Sequence, residues 1–361
     1  MPLSPRQRFL HYVRDPQHHR QVVSPFLPDH QEICSALQLL GEPIAGDPFA
    51  DEITLARRLD YEPMFMTDFE SLLFPWRSDP DRSDEKTEVR VIDLPDGEWV
   101  YRKPRGDSQW NEETACPVQS EADHQRVVQV CEQITDREGE IRTYFREFRR
   151  RVGEDGVIVL GHPHPSWLCS QINPQEIFFH WNDYPAAFRQ SMNALFRASL
   201  FIVHIAIEEG IDFMSDSSYG LEMTSPELFR EMDLPYIQAL AFRTHELGGL
   251  FWYHNCGDTR QWFLDGTMNS LGADVIETVA PPPEGDNDLR ESRQALDRRI
   301  CSKGNLSLTL LRDGTPEQVE QATRRIIEET RGFPHIVSTA DGVLPGTPPE
   351  NFIAFVQAAR Q

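Results

Sequence analysis

The sequence is short of positive charge. Its 35 lysines and arginines face 58 aspartates and glutamates, for a formal net charge of −23. A surface this acidic repels phosphate backbones and anionic lipid, which argues against nucleic-acid and membrane partners. Two basic stretches, "RQRFLHYVR" near the start and "RQALDRR" at 293–299, read as solvated helix faces. Long apolar runs are missing too. The best candidate, around 194–207, is interrupted by Arg197, Ser199 and His204, whereas a membrane span needs ~18 apolar residues. The first twenty residues hold no apolar signal core, so a soluble, cytoplasmic protein is expected. The six cysteines are scattered without framework spacing, as suits reduced thiols in a cytoplasm. A chain of 361 residues can bury a large core without disulfides or structural metals, so any metal needs a functional reason. Finally, no G-x-G-x-x-G loop follows an early strand, which removes weight from a dinucleotide-binding sheet.

What is present is strand–helix alternation. Strands are expected at 157–162, 211–216, 249–256, 273–278, 298–305 and 334–342, with a long helix over about 183–209. Ser225 with Pro226, and Thr315 with Pro316 and Gln318, read as helix starts. Asp258 is expected to cap a helix, and Thr347 with Glu350 to open the last one. Strands near 21–27 and 63–68 would complete the set. The stretch 88–104 reads as a β-hairpin turning near "PDGE", an insertion at about 85–105. Alternation of this kind implies parallel strands with helical crossovers. The expected fold is α/β: a single (β/α)8 TIM barrel spanning 1–361, with an N-terminal β-hairpin insertion.

The stretch "WYHNCGD" carries the chemistry. Alternate strand residues share a face, so His254 and Cys256 point the same way at a strand's C-terminal end. In a (β/α)8 barrel that end is the active-site face. Imidazole and thiolate together suit a borderline-soft ion such as Zn²⁺. A hydrogen-bonded histidine beside a buried thiol fits the same two residues. Glu277 and Asp341 end later strands and could reach the same mouth; a salt-bridge partner and a turn former are the alternatives. His162 and His164 in "GHPHPSW" lie on the same rim. So do Asp212, Asp216, Tyr219 and Glu222 in the next loop. His162, His164, Asp216, Tyr219 and Glu222 are the candidate substrate-binding residues, with capping and turn formation as the competing roles.

The chain resembles the uroporphyrinogen decarboxylase superfamily, in its methyltransferase-like branch. "SPRQRFLHYVRD" is similar to that family's opening R-x-R-F helix, "SPELFREMDLPYIQAL" to its S-P-E-x-F…P-Y segment, and "HNCGD" to its H-x-C-G motif. "APPPEGDNDL", "GNLSLTLLRDGTPEQV" and "STADGVLPGTPPENFIAFV" follow in the family's order. The resemblance implies one (β/α)8 barrel. It also implies zinc held by His254 and Cys256, with methyl transfer between a small-molecule substrate or thiol and a corrinoid (cobalamin) carrier supplied by a partner protein. The family's later cysteine falls on Asp341. Glu277 resembles a further ligand of the related cobalamin-independent methionine synthases. The M-R-Q-A-G-R-type segment of true decarboxylases is absent, which weighs against decarboxylation of a polycarboxylate. That lyase activity and a non-catalytic ligand-binding role are the alternatives. A small-molecule substrate, a corrinoid protein and a second copy in a homodimer are the partners considered.

Overall fold

The structure is a computed structural model that describes residues 2–17, 19–105, 117–161, 176–218 and 225–361. Helix α1 (Pro5–Arg14) opens it under a complete capping box between Ser4 and Gln7. Helices α2 (His30–Leu40) and α3 (Pro48–Leu59) follow, capped by Asp29 and Asp47. After β1 (Met64–Thr67) comes a small antiparallel sheet of β2 (Arg77–Asp79), β3 (Thr87–Leu94) and β4 (Gly97–Pro104). The expected hairpin is therefore present, with Leu94 paired to Gly97 across its turn and a third strand on its edge.

Six further strands complete the main sheet: β5 (Val157–Leu160), β6 (Phe213–Ser218), β7 (Leu250–Asn255), β8 (Val275–Thr278), β9 (Cys301–Leu306) and β10 (His335–Thr339). With β1 they form a seven-stranded sheet, ordered β1-β5-β6-β7-β8-β9-β10 and parallel throughout. The strand expected at 21–27 is reduced to one parallel bridge, Val23 to Val337. Prolines explain the reduction. Pro25 and Pro28 offer no N–H to a ladder, so pairing stops after Ser24. Even so, the segment lies between the sheet's two edges. Ser24 N donates to Val337 O at 2.9 Å, and Glu62 N, just before β1, donates to Val23 O at 2.9 Å.

The core has two layers, set by strand parity. One face of the sheet and the surrounding helices bury the larger cluster, including Phe145, Phe188, Ile202, Phe251 and Tyr253. The opposite face, curled inward, buries Val157, Phe213, Trp252, Val275, Cys301 and Ile336 against Phe9, Tyr12 and Val13 of α1. Phe9 lies 5.7 Å from the Phe213 ring and 6.2 Å from Trp252. Helix α1 thus plugs the N-terminal end of the sheet.

The two basic stretches are solvated only in part: Arg14 and Arg299 are exposed, whereas Arg6, Arg8 and Arg293 are engaged within the fold. Arg6 Nε donates to Asp212 Oδ1 at 2.8 Å, and Arg8 Nε donates to Glu62 Oε1 at 2.8 Å. Arg293 is 1% exposed and caps the carbonyls of Leu296, Asp297 and Ile300. Among the described residues one helix, Pro185–Glu208, is long and apolar enough to cross a membrane, despite its internal Arg197 and His204. Its apolar face is spent inside the fold, with Phe188, Leu195, Ile202 and Val203 in the larger core cluster. The helix after β7, Arg260–Leu264, takes its cap from Asp286, whose Oδ1 accepts from both Thr259 N and Arg260 N at 2.9 Å. Asp258 is not the N-cap residue. The last helix, Pro349–Arg360, starts behind Pro348, while the Thr347 hydroxyl turns back to Leu344 O.

Candidate metal centre

Three adjacent strands place three charged side chains at one level. Register pairs His254 of β7 with Glu277 of β8, and Glu277 with Lys303 of β9. All three project to the inner face, because Trp252, Val275 and Cys301, two residues earlier on the same strands, belong to the inner core. His254 Nδ1 lies 3.1 Å from Glu277 Oε1, and Lys303 Nζ donates to Glu277 Oε2 at 2.6 Å. The His254 Nε2 atom faces Asp341 Oδ2 at 3.7 Å.

The electrostatics follow from the stacking. Burial alone would raise the Glu277 carboxyl, but the Lys303 ammonium and His254 overcome it and hold it down to about 2. Burial would likewise lower the His254 imidazole. Hydrogen bonds to Cys256 and Glu277, with the charge on Asp341, leave it well above its ordinary value. Lys303, 2% exposed, also lies 5.4 Å over the Trp252 ring, within cation–π range.

A cavity of about 240 Å³ opens beside this row. Its walls are Phe26, Met64, Met66, Val159 and Trp252, and its polar lining is Ser215, His254, Glu277 and Asp341. Every strand contribution is an inward residue, and Trp252 is the floor over the α1 plug. The cavity is at the C-terminal ends of the strands, where barrel active sites lie.

Of the expected site residues, His254, Glu277 and Asp341 line one cavity, and Cys256 bonds to the His254 ring. His162, His164, Tyr219 and Glu222 lie outside the described residues. Asp216 is fully buried on the face opposite Ser215, beside Asp233, and burial raises its carboxyl well above the usual range. Asp212, expected on the rim, sits at the other end of β6. There it accepts from Arg6, from Arg149 Nη1 at 2.9 Å and from Ile158 N at 2.9 Å.

Lys303, Ser215, Met64, Met66 and Phe26 were not foreseen. Strand parity could have found Lys303, since it stands two residues after Cys301 and so shares its inward face. A Cβ on the next residue, Gly304, would run into the Thr278 carbonyl oxygen, so only glycine lets β9 approach β8 here.

The donor types suit a borderline-soft ion: one imidazole, one thiol and two carboxylates. They are partners of His254 rather than of one another. No three of His254, Cys256, Glu277 and Asp341 bring ligand atoms within 4.8 Å of each other. Opposite nitrogens of the ring serve the two carboxylates. Nδ1 faces Glu277 and Nε2 faces Asp341.

The sequence profile of the uroporphyrinogen decarboxylase (URO-D) family matches residues 117–361. The chain belongs to that family. Among its relatives, a methylated-thiol–coenzyme M methyltransferase of Methanosarcina mazei is 32% identical over 150 residues, covering 41% of this chain and 37% of that protein. A uroporphyrinogen decarboxylase of a Synechococcus species is 38% identical over 93 residues, covering 26% of this chain and 25% of its own. The chain therefore spans well under half the length of these curated relatives. A solved structure of a methyltransferase from Methanosarcina mazei superposes with a TM-score of 0.66 at 16% identity, covering 99% of both chains. That likeness is one of fold, and it includes the N-terminal third, which the profile does not reach.

Proposed function

We propose that this protein is a zinc-dependent methyltransferase, moving a methyl group between a small-molecule thiol and a corrinoid carrier supplied by a partner protein. The observation that carries the reading is the His254–Glu277–Lys303 row, from which His254 and Glu277 line an apolar cavity together with Asp341, with Cys256 bonded to the His254 ring. The similarity to the methylated-thiol methyltransferase points the same way. The Val23 bridge is read as a vestigial eighth strand, making the fold a (β/α)8 barrel.

His254 through Nε2, Cys256 and Asp341 would hold the ion, and Glu277 would orient the ring from Nδ1, as a carboxylate commonly does behind a metal-binding histidine. Zinc, when bound, would lower the pKa of a substrate thiol enough to make it a thiolate at neutral pH. The chain's own residues do the rest. Lys303 fixes Glu277, and Glu277 fixes the imidazole plane. Phe26, Met64, Met66 and Val159 exclude water and accept an apolar substrate body. Trp252 closes the floor, so the reacting group is held at the rim, where a carrier can dock. Close placement of two reactants can supply much of the rate.

Decarboxylation of a polycarboxylate has less support. The described lining holds two carboxylates and no arginine, which would repel such a substrate. The test is zinc content of wild type and Cys256→Ala, together with methyl transfer from methylcobalamin to a thiol. One zinc at this site and a rate loss of about a thousandfold, equivalent to about 4 kcal/mol, are expected for the variant. Full zinc occupancy there in Cys256→Ala, or an unchanged rate, would overturn the assignment.

A further inference from the structure

A second set of ligand-type side chains lies apart from this cavity. His30 opens α2, Cys34 stands one turn further on the same face, and Asp51 comes from the first turn of α3. Their ligand atoms all lie within 4.8 Å of one another, the single such group among the described residues. None of the three lines the His254 cavity. We propose that His30, Cys34 and Asp51 form a separate binding site for a thiophilic divalent cation of the zinc class.

The argument starts from one nitrogen. His30 Nε2 is 2.8 Å from Asp51 Oδ2 and 3.4 Å from Cys34 Sγ. A neutral ring with its proton on Nε2 donates to the carboxylate and leaves no lone pair for the thiol. With the proton on Nδ1, Nε2 accepts from the thiol but turns its lone pair on the carboxylate. One proton on Nε2 cannot serve both contacts well. A cation among the three atoms serves all of them, with the thiol proton released to solvent.

The dimensions agree. Zinc bonds of about 2.0–2.1 Å to nitrogen and oxygen and about 2.3 Å to sulfur, at tetrahedral angles, separate N and O by about 3.4 Å and N and S by about 3.6 Å. The N···S separation is already close, and the N···O contact needs to open by about half an ångström.

The carboxylate is also held in advance. Asp51 is fully buried; its Oδ1 accepts from Ala45 N at 2.6 Å and its Oδ2 from Gly46 N at 3.0 Å. Such outer bonds orient a ligand before the metal arrives. The His30 side chain is 30% exposed, so the fourth position opens to water. A cation here would clamp the first turn of α2 to α3, four residues beyond Phe26 of the cavity wall.

The test uses the full-length Cys256→Ala protein, stripped by chelator and titrated with Co²⁺, so it does not depend on the His254 reading. One equivalent is expected, with a thiolate-to-cobalt charge-transfer band. Adding Cys34→Ser should abolish the band and weaken Zn²⁺ binding at this site at least tenfold. Absence of the band in Cys256→Ala, or its survival in the double variant, overturns the site. A second readout covers a variant that fails to fold: alkylation of Cys34 in the wild-type chain, followed by mass spectrometry. Zn²⁺ should slow it at least tenfold, and equal rates with and without Zn²⁺ overturn the proposal.

Discussion

The two ends of the parallel sheet solve the same problem differently. Each buries charge at or beside the ends of short strands. At the N-terminal end, α1 reaches under the sheet and pairs what it covers: Asp212 takes Arg6, Arg149 and a backbone N–H, and Glu62 takes Arg8, Arg360 and Val23 N. At the C-terminal end a cavity is left open, lined by His254, Glu277 and Asp341, with Glu277 tied from behind by Lys303 and Cys256 bonded to the His254 ring. The lower end is built for persistence. The upper end keeps ligand capacity in reserve, and the row through Lys303 is the boundary between them.

The largest effect is expected at the closed end. Asp212→Ala strips the partner from Arg149, whose side chain is 16% exposed, and from Arg6. Breaking a buried pair from one side costs about 3–5 kcal/mol. Urea unfolding should show that loss, with zinc content per folded chain unchanged. A loss below about 1 kcal/mol would mean that the lower network is not what holds the sheet shut.

At the boundary, Lys303→Met leaves Glu277, nearly buried, without its ammonium partner. A cost of about 2–3 kcal/mol is expected, because His254 still offers one hydrogen bond. Zinc affinity should fall by roughly 10–100-fold, the usual effect of losing support behind a ligand. Stability loss with unchanged zinc affinity would assign Lys303 to the closed end alone.

A pH profile separates the ends further. His335, at the start of β10, is fully buried, bonded through Nε2 to Gly304 O at 2.8 Å and through Nδ1 to Ser302 Oγ at 2.8 Å. Burial pushes it down to about 3, whereas an unfolded histidine titrates near 6.5. Between those values the unfolded chain binds the extra proton, so this group's contribution is full above about 6.5 and is lost progressively as pH falls toward 3. Unfolding free energy measured by urea should show that slope, and His335→Gln should reduce it. An identical slope in the variant would place the acid sensitivity elsewhere.

How much of this was legible depends on how local each cause is. Strand parity is local, so His254 and Cys256 on one face, and the helix starts at Ser225 and Thr315, could be read directly. Partners distant in sequence could not. The amphipathic pattern of "RQRF" is that of a solvated helix, and nothing nearby says that Asp212, 206 residues on, waits for Arg6. Asp212 itself sits at the edge of an apolar run, and either end of a strand fits that pattern. Register fails for the same reason: that Glu277 falls level with His254, and Lys303 with Glu277, depends on crossover geometry. Asp286 displaced Asp258 as a helix cap because a neighbouring loop supplied a better-placed carboxylate.

The smallest expected change tests the open end at its weakest member. Asp341 is 38% exposed and 3.7 Å from His254 Nε2, so replacing it disturbs little packing, and stability should move by less than about 0.5 kcal/mol. Yet it stands where the wider family resemblance leads one to expect a cysteine. A thiolate is the softer donor and binds zinc more strongly than a half-exposed carboxylate. Asp341→Cys should therefore retain zinc against a chelator series at roughly tenfold higher chelator concentration than the parent. Equal retention would show that position 341 stays outside the coordination shell, leaving His254, Cys256 and Glu277 to hold the ion.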